Sequence, residues 1–229
     1  YTDKMNYYQS KDYESLLKSK NILDAKQFLH TSMLYLNYAI ITAKLYQDAG
    51  EKTISENPDN PFYNSVNILG WNYNAHTFLN KCAFEWFSHI SNSLDCLLQY
   101  INSALNLGLP TKSVGYKNII GKIRNIRNVE AVINNLWADQ TVIHIQSICN
   151  YCKHTLELYG SSSFTDILGK QRDIRIPAFR YRGNMYPEKA VSSFLNFYED
   201  FIGLYLDILD CIDLIVKQSA PVPNRYYID

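Results

Sequence analysis

The residues best suited to do chemistry lie together in Cys149-Asn150-Tyr151-Cys152-Lys153-His154. An imidazole can take or give a proton near neutral pH, and thiolates and imidazoles are good zinc ligands, so two chemistries compete in one hexapeptide. On helical geometry Ser147, Asn150, His154 and Glu157 step by three or four and form one polar stripe on an otherwise apolar helix. Such a stripe faces a cleft, a partner or water. The zinc reading is the weaker one, because structural zinc sites take two ligand pairs and no second CxxC or HxxxH occurs. A carboxylate di-metal site would need Glu-x-x-His motifs from two helices, and none is present. Neither a metal nor a cofactor is expected.

Charge supplies the second candidate feature. Lys plus Arg and Asp plus Glu are 22 each, so the whole-chain balance gives no pull toward nucleic acid or anionic lipid. Locally the balance is uneven. No acidic residue lies between Asp95 and Glu130, while Lys112, Lys117, Lys122, Arg124 and Arg127 are all cationic. A second basic segment carries Lys170, Arg172, Arg175, Arg180 and Arg182 against Asp166 and Asp173. If the two segments meet, Tyr116, Phe179 and Tyr181 interleave with the cations, the combination that suits single-stranded RNA or a nucleotide. If they do not, they are two solvated loops. No GxGxxG, GxxxxGK[ST] or GxSxG motif occurs.

At the hexapeptide the chain resembles the HEPN (higher eukaryotes and prokaryotes nucleotide-binding) superfamily. Its members are four-helix bundles with an Arg-x4–6-His motif, often Arg-Asn-x-x-Lys-His, on the third long helix. Asn150, Lys153 and His154 match that spacing, and the apolar second helix with Asp95 on its polar side also looks like members of this group. The family's arginine position holds Cys149, which cannot grip a phosphate. The resemblance implies a homodimer paired through the motif-bearing helices. It implies a non-catalytic RNA- or nucleotide-binding module, of the kind found in defence or stress systems. Lys153, Asp95, Arg124, Arg127, Arg175, Arg180 and Arg182 are the expected ligand contacts. A metal-independent ribonuclease is the alternative, with His154 and Asn150 catalytic and a displaced arginine stabilising the developing phosphate charge. A structural dimer or protein-interaction bundle is the third reading.

These residues must be positioned by long helices. Of 229 residues, 47% are hydrophobic, enough for a substantial core, and the nine glycines and seven prolines fall mostly between periodic stretches. Apolar residues recur with a helical period over about 22–49, 75–107, 129–159 and from Pro187-Glu188 to before Pro221. Gly50, Gly108 with Pro110, and Gly160 are the expected stops. Four helices joined by loops pack most simply as an antiparallel bundle, so the expected fold is all-α, one helical domain over 1–229 with a HEPN-like core at 75–216. Between the third and fourth helices, Ile174-Arg175-Ile176 and Phe179-Arg180-Tyr181-Arg182 alternate like strands around Pro177-Ala178, predicting a small basic β-hairpin.

Five cysteines in apolar helical patterns, without disulfide-like spacing, are expected to be reduced in a cytoplasmic protein. Tyr1-Thr2-Asp3-Lys4 carries no leader pattern, and Asp207, Asp210 and Asp213 interrupt the most apolar run, so no membrane partner is expected.

Overall fold

A computed structural model describes residues 1–56, 65–68, 70–154, 160–164 and 172–221. The chain is predominantly α-helical, as expected. Its helices are α1 (Thr2–Gln9), α2 (Lys11–Ser19), α3 (Asp24–Glu56), α4 (Ala75–Ala104), α5 (Tyr116–Ile123), α6 (Arg127–Ala138), α7 (Gln140–His154), α8 (Val191–Leu195) and α9 (Tyr198–Gln218). Short strands β1 (Ser65–Ile68) and β2 (Trp71–Asn74) pair with each other. Strands β3 (Ser161–Phe164), β4 (Arg172–Ile176) and β7 (Lys189–Ala190) form an antiparallel sheet in the order β3-β4-β7. Strands β5 (Phe179–Tyr181) and β6 (Asn184–Tyr186) make a separate hairpin. Among the described residues no helix is long and apolar enough to cross a membrane.

The chain divides into two compact units, one from residues 1–35, 92–142 and 199–229, the other from 36–91 and 143–198, so α3 and α4 each contribute to both. In the first, Leu17, Leu29, Met33, Leu97, Ile101, Ile133, Phe201 and Leu209 are buried. Tyr205 donates to Ser32 Oγ at 2.8 Å and Ser32 Oγ donates to the Ser93 carbonyl at 2.7 Å, a buried relay from α9 through α3 to α4. Tyr8 donates to Asp210 at 2.6 Å and ties α1 to α9, while Ser10 caps α2 by accepting from the Tyr13 amide. In the second unit Leu36, Tyr46, Leu79, Trp86, Phe87, Ile148, Ile174 and Phe194 are buried.

Several boundaries differ from the periodicity. The third long helix is broken. Asp139 is extended (φ −61°, ψ 129°) and its Oδ1 accepts from the amides of Thr141 at 2.7 Å and Val142 at 3.1 Å, capping α7. The break resets the phase of the buried stripe, which runs Val129, Ile133, Leu136 and then Val142, Ile145, Ile148. Gly50 lies inside α3, since one helical glycine weakens a long helix by only ~1 kcal/mol.

The expected hairpin around Pro177-Ala178 is also corrected. Both strands exist, yet β4 pairs with β3 and β7, whereas β5 turns at Arg182-Gly183 onto β6. A two-residue hairpin turn needs positive φ at its first central residue, and proline is locked near −65°. Pro187-Glu188 does not open a helix either. Lys189 and Ala190 pair with Ile176 and Arg175, and helix starts only at Val191.

Candidate nucleic-acid interface

Helix α7 is the seat on which the β5–β6 hairpin rests. The Tyr151 ring lies 5.2 Å from Phe179 and 6.4 Å from Tyr181. His144, one to two turns earlier, lies 5.1 Å from Tyr186 and 5.7 Å from Phe179, and Ser147 Oγ donates to Tyr186 Oη at 2.7 Å. Phe179 and Tyr186, cross-strand partners, stack at 4.9 Å and 14°. An isolated two-stranded hairpin is marginal in water. Here its inner face is held by aromatic packing on α7, each aromatic pair worth roughly 0.5–1.5 kcal/mol beyond area burial. Strand alternation then sends Arg180 and its partner Met185 outward, and Met185 is 65% exposed.

The expected site residues separate. Asn150, half-buried, and Lys153, exposed, sit on α7 beside Tyr151, and the hairpin presents Arg180 and Arg182 to solvent. These four share one unit. His154 is the last residue of α7, and its side chain, like that of Arg127 on α6, lies outside the described residues. Arg175 is half-buried and its Nε donates to Glu188 at 2.5 Å, so this cation is already engaged. Asp95 and Arg124 are exposed and belong to the other unit, as does Arg127. Lys170 and Glu157 fall outside the described residues. Ser147 does not face a cleft; it is buried and bonded to Tyr186. Cys149 is also buried, at 5% exposure, where no phosphate could reach it.

Asp95's neighbours on its helix face have local work. Gln99 donates to the Thr111 carbonyl at 3.0 Å, and Asn102 both donates to the Leu109 carbonyl and accepts from its amide, closing the turn after α4. Among the described residues no group of three or more His, Cys, Asp or Glu is placed to hold a metal.

Tyr151, Met185 and Tyr186 were absent from the expected site. For Met185 and Tyr186 the signal was the period-two alternation running on from Phe179 through an Arg-Gly turn, whereas Tyr151, on α7, gave none. His144 gave no signal, standing alone in an apolar run. It is 5% exposed among Phe179, Tyr186 and Phe194, and its Nε2 has no hydrogen-bond partner among the described residues. Burial, with a smaller push from the Lys189 cation, lowers its pKa from 6.5 to about 4. The unfolded chain therefore takes up a proton at this position between pH 6.5 and 4 that the folded chain refuses. Stability is complete above that window and falls as pH drops through it, by about 3 kcal/mol at its foot. Urea titrations at pH 7 and pH 5 should show a lower midpoint at pH 5, and His144→Phe should flatten most of that difference.

Comparisons with protein-family models, curated proteins and solved structures return no match to the chain.

Proposed function

We propose that the chain is an RNA- or nucleotide-binding module of HEPN-like character without catalytic activity, in which Asn150, Lys153 and His154 of α7 act together with Arg180 and Arg182. The observation that carries the reading is the anchoring of a hairpin with two exposed arginines on the helix that bears the Asn-x-x-Lys-His spacing. No acidic residue occurs between Asp173 and Glu188, so nothing within this segment neutralises the pair. Arginine matches phosphate through two parallel N–H donors, and a neighbouring tyrosine offers a stacking face to a base. The burial of Cys149 where the family carries its arginine argues for binding without cleavage. The four-helix bundle and the two-fold dimer that the resemblance implies belong to the same proposal.

The test is incubation of labelled single-stranded RNA with the wild-type chain and His154→Ala in the presence of EDTA, with binding recorded across salt concentrations. The expected result is intact RNA and binding whose log K falls with log salt at a slope of about −2, as three phosphate contacts on a single strand would give. Cleavage that disappears in His154→Ala would replace this reading with a metal-independent ribonuclease. Neither binding nor cleavage would leave an interaction bundle.

A further inference from the structure

Three residues other than glycine have positive φ among the described residues, and two of them are asparagines, Asn21 (58°) and Asn106 (51°). The third is Arg182, at 49°. Asparagine tolerates the left-handed region because its short amide can bond locally, whereas arginine meets the full steric opposition of Cβ with the backbone. The register leaves no choice of conformation. Tyr181 pairs with Asn184, so Arg182 and Gly183 are the two central residues of the loop, and Gly183 has φ 84°. Both φ values are those of a type I′ turn, for which Asn-Gly is the favoured pair. Among the described residues the other left-handed positions hold asparagine or glycine, and the backbone is opposed only at this tip.

The Arg182 side chain does not repay the strain within the fold. It is exposed, its guanidinium lies 5.2 Å from the centroid of the Tyr181 ring, and it enters no ion pair among the described residues. A guanidinium over a tyrosine ring is drawn to the ring face by cation–π attraction, which uses none of its N–H donors and leaves them for bidentate contact. Arg180 stands on the outer face with Met185 directly across, and a methionine exposed to 65% offers a polarizable surface to a flat ring. Backbone strain held at an exposed tip by a residue without a structural task is the signature of a functional site.

Building on the module reading above, we propose that the β5–β6 hairpin is a phosphodiester-binding finger for single-stranded nucleic acid. Arg182 and Arg180 take backbone phosphates, and Met185 underlies a base. The finger itself, more than the α7 motif, sets affinity, and α7 serves to hold it.

The experiment is binding of a labelled oligouridylate of ~10 nucleotides, within the usual span of single-strand sites, to the wild-type chain, Arg182→Asn, Arg182→Lys and Lys18→Gln, an exposed control in the other unit. Thermal melts are recorded for each. Arg182→Asn relieves the turn, so its melting temperature should rise by ~2–4 °C while its affinity falls about tenfold. Its salt slope should shrink by about 0.7, one phosphate contact on a single strand. Arg182→Lys keeps charge and strain, so its melting temperature and slope should match wild type with affinity between the two. Lys18→Gln should bind as wild type. Wild-type affinity in Arg182→Asn would overturn the finger while leaving the module reading intact, and so would a lowered melting temperature in that variant. Displacement of the oligonucleotide by polyglutamate as readily as by unlabelled oligouridylate would overturn it in favour of an acidic peptide. Failure of the wild-type chain to bind would sink the module reading and the finger with it.

Discussion

Gly160→Ala is expected to destabilise the protein by ~3 kcal/mol, with a melting temperature lower by about 6–12 °C. A Cβ built at this position would stand 2.1 Å from Ile174 Cγ2, 3.0 Å from Asn80 Oδ1 and 3.2 Å from the Arg175 carbonyl oxygen. Each neighbour is constrained. Ile174 is fully buried on β4, and Arg175 contributes backbone paired into the sheet. Asn80 accepts from the Gly160 amide at 2.9 Å while its own Nδ2 donates to the His76 carbonyl at 3.0 Å. Retreat of residue 160 would stretch that bond, and retreat of Ile174 would disturb a packed core. The check is a melt followed by circular dichroism, with Ile174→Ala as the companion variant. If the clash with Ile174 is the cause, the double substitution will cost less than the sum of the singles. Equal sums would show that the glycine answers to the backbone contact with Arg175.

Asp173→Ala is expected to cost about 2–4 kcal/mol, for a different reason. Asp173 is 1% exposed on β4, and among the described residues each group hydrogen-bonded to its carboxylate donates. Tyr46 Oη and the Ile174 amide, at 2.8 Å, both donate to Oδ1, and the Ser192 amide reaches both oxygens at 3.3 Å. Ser192 lies in the first turn of α8, whose cap position is Ala190, a residue with no side-chain acceptor to offer. Asp173 supplies that acceptor from the adjacent strand. Without it the Tyr46 hydroxyl proton is buried unpaired and the half-buried Ser192 amide loses its acceptor, while the Ile174 amide still has Tyr46 Oη at 2.7 Å. Asp173→Asn should be milder, since an amide oxygen can keep the bonds from Tyr46 and Ile174. Tyr46→Phe/Asp173→Ala removes the orphaned hydroxyl but strips the Ile174 amide of both these acceptors, so chemical denaturation should put the double variant near the sum of the singles. A double variant costing much less than that sum would mean that the Ile174 amide finds another acceptor.

The parts of this fold that could be read in advance are those where a long apolar period meets nothing else. In α4, Leu79, Cys82, Trp86, Ile90, Leu94, Leu97 and Ile101 step by three or four, and all are buried. The break at Asp139 was hidden because the apolar period continues across it, and only the competition of the Asp139 carboxylate for the amides of Thr141 and Val142 turns the chain. Helices α1 and α2 were missed because their faces are mostly polar, with Tyr8, Tyr13 and Leu17 the buried residues. At the site the arginines were legible by charge and the strands by alternation. The pairing was misassigned, because the position of the turn depends on φ and proline excludes the nearer candidate. That the hairpin lies on α7 is a long-range fact, carried by rings from residues 144, 151, 179 and 186 that no local pattern connects. The strain at Arg182 belongs to the same class, for it exists only once Tyr181 has found Asn184.

The cysteines have a consequence of their own. No disulfide joins the five, and they are shared between the units, with Cys82, Cys149 and Cys152 in one and Cys96 and Cys211 in the other. Burial pushes the Cys82 thiol up to about 12 and raises those of Cys96 and Cys211 as well. Only the thiolate reacts quickly, so an alkylating reagent near neutral pH meets the buried Cys82 sulfur mainly when the packing around it has opened, while the half-buried Cys96 and Cys211 react in the folded chain at a rate held down by their raised pKa. Cys82 thus carries an intrinsic clock. The rate at which it becomes modified reports breathing of its own unit, and the rates at Cys96 and Cys211 give the folded-state reference against which that breathing is timed.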